Sequence, residues 1–184
     1  MASANDGSSW VLERLLVLQC QTGDGRAFEE LVARYDGRLR YYLRHLLHHS
    51  ESIEDMIQDV WLEVVRGIAG LRSAAAFRSW LYRIARNRVF AELRRSCRLP
   101  RAESEVDELI VNEPEFSAED AADVHKCLGR LSVEHREVLL LHFVEDMSYA
   151  EIAETVGCKL GTVRSRLHCA KLAMRREMER TRHG

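Results

Sequence analysis

The chain has 184 residues, 46% of them hydrophobic, which is enough apolar material for one medium domain or two small ones. Because it holds only two prolines and ten glycines and is rich in Leu, Ala, Glu and Arg, we expect an all-α protein and disfavour a large sheet. No stretch approaches the run of about 18 apolar residues that suggests a membrane span, and the start does not resemble a secretion signal. The sequence therefore predicts a cytoplasmic protein.

The net charge of −2 is unevenly distributed along the chain. Residues 26–98 carry 14 Arg against 9 acidic residues, and residues 124–184 carry 11 Lys and Arg against 8 acidic residues. Residues 99–123 carry one Arg against nine acidic residues. Two basic segments thus flank an acidic one. The basic segments suggest a polyanionic partner, although a solvated charged surface is the more common explanation of any single cluster.

The five cysteines favour reduced, structural thiols over a disulfide framework or a zinc site. Their number is odd and no two are spaced as CxxC: Cys20, Cys97, Cys127, Cys158 and Cys169. The neighbouring His45, His48 and His49 do not complete a set of four ligands with ordinary zinc spacing. We therefore expect no metal and no cofactor.

Two helices are predicted before residue 50. Ser9 is the expected N-cap of the first, Gly23 to Gly25 ends it, and Asp24 is the expected cap of the second. Apolar residues of the second helix recur every three or four positions and define one buried face: Leu31, Val32, Tyr35, Leu39, Tyr42, Leu43 and Leu46.

The third predicted helix has an apolar face and an acidic face. Ser52 and Asp55 resemble a capping box, and the apolar spacing continues to Gly67. The opposite face gathers five polar residues: Glu54, Asp55, Gln58, Asp59 and Glu63. An acidic stripe is unusual within a basic segment, and a solvated face is its simplest explanation.

A fourth, densely cationic helix is predicted to start near Ala74. Its apolar periodicity is interrupted at Asn87 and Arg88 and continues from Val89, so we predict a kink or a short loop there.

Residues 99–122 show no sustained apolar period, contain both prolines and carry many like charges. They predict a flexible acidic linker between a first helical domain, residues 1–98, and a second, residues 123–184. The linker holds more apolar residues than a spacer needs, so we expect partial ordering on a partner: Val106, Leu109, Ile110, Val111 and Phe116.

The second domain ends in a predicted helix-turn-helix. Ser148 to Glu151 form a capping box, Gly157 is placed to end that helix in the left-handed conformation, and residues 162–178 form the next helix. Val163 and Leu167 anchor this last helix inward. Its outward face is suited to base edges and phosphates in a major groove: Thr162, Arg164, Ser165, Arg166, His168 and Lys171. An ordinary αα-hairpin with a hydrated basic face is the alternative.

Ser148 to Ala153, followed by Gly161 to Leu167, resembles the C-terminal promoter-binding domain of extracytoplasmic-function sigma factors. Upstream, Glu54 to Trp61 and Phe77 to Asn87 are similar to the core-binding and minus-10 segments of that family. The resemblance covers most of the chain outside the linker and the extreme ends. It implies a sigma factor that binds core RNA polymerase, directs promoter-specific transcription initiation and catalyses no reaction.

The resemblance also implies which residues of the first domain meet each partner. The third helix would dock on the clamp helices of the polymerase largest subunit through Glu54, Asp55, Gln58 and Asp59. The fourth helix would hold a flipped base of the melted minus-10 strand near Asn87, with further strand contacts from Trp80, Arg83, Arg86 and Arg88. Extruding a base costs a few kcal/mol, which these contacts and the polymerase would offset.

For the second domain, the resemblance implies that Arg164, Ser165 and His168 face the minus-35 duplex while Thr162 touches its backbone. It further implies contact with the flap of the second polymerase subunit, an anti-sigma factor that holds the protein inactive until a stress signal, and no small-molecule substrate. Cys169 stands where relatives often have a basic residue, so the minus-35 sequence is left open.

Two other functions remain open from the sequence alone. A stand-alone helix-turn-helix regulator would bind paired half-sites without polymerase and would not need the Asp55 to Asp59 face. An anti-sigma or adaptor protein would not need Asn87 or the Arg164 to Arg166 face. An enzyme is least favoured, because the sequence holds no Gly-rich phosphate loop, nucleophile elbow or HExxH motif.

Overall fold

The structure is a computed structural model that describes residues 6–47, 53–96 and 118–182. These residues form eight α-helices and contain no strand, which confirms the all-α expectation. The helices are α1 (Asp6–Gln21), α2 (Gly25–Leu46), α3 (Ile53–Gly67), α4 (Phe77–Ser96), α5 (Ala118–Gly129), α6 (Val133–Leu139), α7 (Tyr149–Val156) and α8 (Leu160–Arg182). Within these ranges, no helix is both long and apolar enough to cross a membrane.

Helices α1 to α4 form the first domain around the face that the α2 periodicity predicts. Asp24 caps α2 as expected, since its carboxylate accepts hydrogen bonds from the backbone nitrogens of Arg26 at 2.9 Å and Ala27 at 3.2 Å. Tyr35 and Tyr42 of α2 are buried against aromatic residues of α4, with edge-to-face ring pairs to Phe77 and Tyr82. Short 3₁₀ turns, Ile68–Gly70 and Ala74–Ala76, connect α3 to α4.

Two expectations for this domain are wrong. Helix α1 begins at Asp6, so Ser9 lies within the helix and is not its N-cap; an interior Ser costs a helix too little to stop it. Helix α4 runs through Asn87 without a break, so the predicted loop does not form. The apolar periodicity is interrupted there because Arg86 and Arg88 are half-buried and make ion pairs with residues of other helices. Ser52, in the predicted capping box of α3, lies outside the described residues.

The first described helix after residue 96 is α5. Helix α5 starts at Ala118, inside the segment 99–122 that the sequence predicts as linker. Residues 118–123 read AEDAAD, in which alanines favour helix and acidic residues near an N-terminus interact well with the helix dipole. Residues 97–117, with the apolar linker residues, lie outside the described part of the chain. The linker prediction for them stays a prediction.

The helix-turn-helix forms as predicted. Ser148 and Glu151 make a reciprocal capping box at the start of α7, and Gly157 ends it with φ of 72°, a left-handed conformation that glycine adopts without strain. Val163 and Leu167 on α8 are buried. Before it, α6 continues as a π-helical turn, Leu140–Val144, which leads into α7.

The two domains pack directly on each other. Helix α4 of the first domain lies against α7, and α2 lies against α6. Their buried residues form one continuous apolar core. The sequence left open whether the domains are separate or joined; in this structure they are closed together.

Candidate nucleic-acid interface

The outer face of α8 is open to solvent. Arg164, Ser165, His168 and Lys171 are exposed, and the Ser165 hydroxyl donates a hydrogen bond to the Thr162 carbonyl oxygen at 3.0 Å. Because these residues recur at helical spacing above the buried Val163 and Leu167, they form one polar face on a rigid helix. Such a face has the shape and the charge to enter a major groove.

Two of the α8 residues predicted to contact DNA are less exposed than this face. Thr162 and Arg166 are half-buried. Arg166 lies near the buried Glu137, where its charge opposes the rise in the pKa of that carboxyl that burial causes. The structure therefore directs Arg166 toward the protein interior.

Lys171 lies at the rim of an apolar groove. Its Nζ is 5.1 Å from the centroid of the Phe143 ring, a cation–π distance. The groove has a volume of about 620 Å³, and α2, α5, α6, the π-helical turn and α8 contribute its apolar lining: Tyr41, Val124, Leu128, Leu139, Leu140, Phe143, Val144, Met174 and Met178. Phe143 is 61% exposed, an unusual position for a large aromatic residue unless a partner covers it.

Three of the five predicted minus-10 residues share one stripe of α4. Trp80, Arg83 and Asn87 are spaced by three and four positions, and Arg83 and Asn87 are exposed. Trp80 is half-buried because its indole packs over Gly67, where an added Cβ would lie 2.8 Å from Trp80 Cζ2. The indole is thus fixed in position beside an exposed Arg and an exposed Asn.

The other two predicted minus-10 residues point elsewhere. Arg86 makes an ion pair with Glu137 of α6, Nε to carboxylate oxygen 2.8 Å. Arg88 makes ion pairs with Asp59 at 2.9 Å and Glu63 at 3.1 Å, both on α3. The structure therefore does not bring all five residues to one place.

The acidic face of α3 is exposed as predicted. Glu54, Asp55, Gln58 and Asp59 all face solvent, although Glu54 pairs with Arg40 and Asp59 pairs with Arg88. Leu62 and Val65 extend this face toward the end of the helix and are 51% and 53% exposed. Exposed apolar residues beside a charged surface are a feature of protein-binding sites.

Sequence reasoning missed the charged residues between the domains. Glu137 and Glu145 are fully buried and pair with Arg86 and Arg38 of the first domain. The Tyr42 hydroxyl also donates to Glu137 at 3.1 Å. One signal for them was present, because two acids bracket the run from Val138 to Val144, in which every residue but His142 is apolar. A charge at a buried helical position requires a buried partner.

The electrostatics of these groups follow from burial. Burial raises the pKa of Glu137, against the opposing influence of Arg86 and of the Tyr42 hydrogen bond. Burial likewise raises the pKa of Glu145, against the charge of Arg38. Burial also acts on Glu151, but hydrogen bonds from Arg78 and Ser148 outweigh it and leave the pKa of that carboxyl lowered.

His45 lies where α2 of the first domain meets α5 of the second. Its Nδ1 donates to the Tyr41 carbonyl oxygen at 2.8 Å, and its ring lies 4.8 Å from that of His125 in the second domain. Burial lowers the pKa of His45 to about 4. In the described ranges, no group of three or more His, Cys, Asp or Glu side chains is arranged to hold a metal ion. His48 and His49 lie outside those ranges.

Comparison with known proteins identifies the two domains. The family described as Sigma-70 region 2 matches residues 31–98, and the family described as Sigma-70, region 4 matches residues 121–174. The sigma factor SigM of Mycobacterium tuberculosis is 35% identical over 153 residues, which cover 83% of this chain and 76% of SigM. The sigma-E factor of Haemophilus influenzae is 31% identical over 173 residues, which cover 86% of this chain and 91% of the relative.

Solved structures agree with this assignment. CnrH, in complex with the cytosolic domain of CnrY, superposes with a TM-score of 0.70 at 25% identity, covering 91% of this chain and 97% of CnrH. RpoE from Bartonella quintana, in complex with the anti-sigma factor NepR, has the same fold, with a TM-score of 0.69 at 21% identity, covering 83% of this chain and 96% of RpoE.

An all-α chain with region 2 followed by region 4 has the architecture of a sigma-70 type factor. With relatives at 35% and 31% identity over most of both chains, this protein belongs to the extracytoplasmic-function (ECF) sigma factors of RNA polymerase. Its function is promoter-specific initiation of transcription, and the family consists of initiation factors, not of enzymes.

Proposed function

We propose that this protein binds core RNA polymerase through the exposed acidic face of α3. Glu54, Asp55, Gln58 and Asp59 are the proposed contacts to the clamp helices of the largest subunit. The exposure of all four side chains on one rigid helix supports this assignment. The adjacent Leu62 and Val65 would add apolar area at the edge of the same surface.

The stripe of Trp80, Arg83 and Asn87 on α4 is the proposed site for the melted minus-10 strand. A flipped base would lie beside Asn87, whose amide offers a donor and an acceptor to a base edge, and Trp80 would stack on it. Arg83 would contact the strand backbone together with Arg86 and Arg88 once these two leave their carboxylate partners. The fixed position of the indole over Gly67 supports Trp80 as part of this site.

The outer face of α8 is the proposed reader of the minus-35 duplex. Arg164, Ser165 and His168 would reach base edges, and Thr162 and Lys171 would contact phosphates. Arg166 is the weakest member of the predicted set, because it is half-buried and lies near Glu137. The observation that carries the whole proposal is this exposed basic face on a helix-turn-helix within the region that matches Sigma-70 region 4.

The apolar groove beside Phe143 is the proposed site for the flap of the second polymerase subunit. Its lining is mostly apolar, and its charged members are Lys171, Arg175 and Glu179. We propose in addition that an anti-sigma factor binds the protein, because both structural neighbours described above were solved in complex with other proteins, one of them an anti-sigma factor. We place the protein in the cytoplasm with its polymerase and expect no cofactor and no catalysis of its own.

The test is run-off transcription from fragmented genomic DNA with purified core polymerase, with and without this protein. We expect discrete start sites that appear only with the protein and share two spaced upstream elements. Binding to duplex DNA without any new start site would contradict the proposal and favour a regulator that acts without polymerase.

A further inference from the structure

The apolar groove beside Phe143 is open to solvent although its lining is mostly apolar. It has a volume of about 620 Å³, and its charged members are Lys171, Arg175 and Glu179. On its π-helical wall, Phe143 is 61% exposed and Val144 is 40% exposed. Contact between such a surface and water is unfavourable, so an apolar segment that covers the groove would stabilise the protein.

One wall of this groove is the direct continuation of the linker. Residues 97–117 lead into α5, whose Val124 and Leu128 belong to the lining. At a rise of about 1.5 Å per residue, these two residues lie about 9 and 15 Å along the helix from Ala118. The chain from Ile110 to Ala118 can extend to about 27 Å. It is therefore long enough to double back along α5 and bring Ile110 into the groove.

The sequence of this part of the linker suits an apolar groove with a basic edge. Val106, Leu109 and Ile110 are spaced as i, i+3 and i+4, the spacing of the anchors that a peptide helix inserts into such a groove. Residues 105–116 also carry five acidic residues and no basic one. Helix α8, which supplies the basic edge, carries seven Lys and Arg against two Glu. The segment and the groove are thus complementary in apolar pattern and in charge.

We propose that residues 105–116 of the linker bind the apolar groove of the same molecule when polymerase is absent. Val106, Leu109 and Ile110 enter the groove, and the acidic residues around them face its basic edge. The tether holds the segment at an effective concentration on the order of 1 mM, so a weak contact with a dissociation constant of about 0.1 mM keeps the groove occupied about 90% of the time. The linker is then a ligand as well as a spacer.

This binding goes beyond the proposed function and does not depend on it. The two assignments of the groove concern different states, since the linker segment occupies it in the free protein and the flap is its proposed occupant in the polymerase complex. Only the identity of the competitor rests on the proposed function: if the flap binds in the groove, it displaces residues 105–116.

Methionine methyl groups report the occupant of the groove. Met174 and Met178 line it, whereas Met56 is buried in the apolar core of the first domain and serves as an internal reference. In the full chain labelled with [methyl-13C]methionine, L109S/I110S should shift the NMR signals of Met174 and Met178 and leave that of Met56 unchanged. The double variant changes no residue of a described helix, so the fold is retained.

The matched control is L15S/L18S, which removes two apolar side chains of the same size from exposed positions of α1. It should leave the signals of Met174 and Met178 where they are in the wild type. If these two signals are also unchanged in L109S/I110S, the linker does not bind the groove and the proposal is overturned.

Photo-cross-linking identifies the occupant independently. The full chain is prepared with Phe143 replaced by p-benzoylphenylalanine, irradiated, digested and mapped by mass spectrometry. We expect an intramolecular cross-link to residues 105–116. A cross-linked dimer would assign the groove to a second copy of the chain and overturn the proposal, as would cross-links confined to other segments or the absence of any cross-link.

Addition of core polymerase separates this proposal from the proposed function. Loss of the cross-link to residues 105–116 in the polymerase complex, together with a new cross-link to polymerase, supports both. A cross-link to the linker that persists in the complex contradicts the flap assignment alone. Cross-links to polymerase in the complex, with none to residues 105–116 in the free protein, contradict linker binding alone.

Discussion

Arg164 is exposed on the outer face of α8 near the start of the helix, one residue after the buried Val163. A guanidinium in this position can pair with the major-groove edge of a guanine. R164A should lower the affinity for minus-35 duplex by about 1–3 kcal/mol, or roughly 5- to 150-fold, and leave polymerase binding unchanged. Titration of the minus-35 duplex, followed by fluorescence anisotropy, measures this change in affinity.

The matched control for Arg164 is R176A, which removes the same charge from an exposed position further along α8. R176A should weaken binding to all duplexes slightly and equally, as loss of a general phosphate attraction does. If R164A and R176A give equal losses on specific and scrambled duplex, Arg164 is not a base contact.

His45 predicts a specific pH dependence of stability. Its pKa in the folded protein is about 4, lowered from 6.5 by burial, so the unfolded chain takes up the proton first as the pH falls. The free energy of unfolding of the wild type should therefore fall relative to that of H45Q between pH 6.5 and 4, by up to about 3 kcal/mol. Urea denaturation at several pH values measures it.

The comparison with H45Q isolates the contribution of His45 to the pH dependence of stability. Glu137 and Glu145, whose pKa values are raised, titrate equally in both proteins and cancel in the difference. The charged or titratable groups beside His45, namely Arg44, His125 and Arg136, are present in both proteins. Parallel stability curves for the two proteins would show that His45 is not buried in solution as it is here.

At the scale of the element, α3 combines exposed acidic residues with a buried apolar face. If Asp59, in the middle of the acidic face, is one of the few residues that dominate binding, D59A should lower the affinity for core polymerase about fivefold or more, since truncating such a residue costs more than about 1 kcal/mol. Surface plasmon resonance with immobilised core polymerase measures this.

E63A is the control for D59A. Asp59 and Glu63 both pair with Arg88, so either substitution frees that arginine to a similar degree. Only Asp59 belongs to the proposed contact set. A loss in D59A that E63A does not share supports direct contact, whereas equal losses assign the effect to Arg88.

The close approach of α4 to the end of α3 gives a second prediction at this scale. An added Cβ at Gly67 would lie 2.8 Å from the Trp80 indole, whereas Gly70 has no atom within 4 Å of such a Cβ. G67A should therefore destabilise the fold by about 1–3 kcal/mol and shift Trp80, while G70A should have little effect. Equal free energies of unfolding in urea would contradict this packing.

The periodicity of the sequence predicts helices and their buried faces well, but not their ends. Asp24 and the Ser148 to Glu151 capping box are local hydrogen-bonding devices, so sequence alone identifies them. The start of α1 depends on intrinsic helix propensities, which are too weak to identify the first residue of a helix from the sequence. The predicted loop at Asn87 is wrong because half-buried arginines on α4 have partners on other helices, which no local pattern reveals.

At the scale of the whole molecule, the sequence predicts two domains but not how they meet. Apolar periodicity shows which face of a helix is buried, yet it does not distinguish burial within a domain from burial between domains. Glu137 and Glu145 illustrate this limit. Their positions on the buried side of the chain do not suit a charged residue unless Arg86 and Arg38 of the other domain pair with them. The exposure of the candidate residues on α3 and of most of those on α8 could be predicted from the sequence, because apolar periodicity separates the exposed face of a helix from its buried face.

The most direct test of the central claim is transcription from one promoter found by the run-off experiment, with each upstream element scrambled in turn. We expect that core polymerase alone gives no transcript, that adding the wild-type protein produces one, and that scrambling either element abolishes it. Because α8 and α4 read different elements, R164A should lose sensitivity to the minus-35 change while remaining sensitive to the minus-10 change. Transcription that persists after either element is scrambled would contradict a two-element sigma factor.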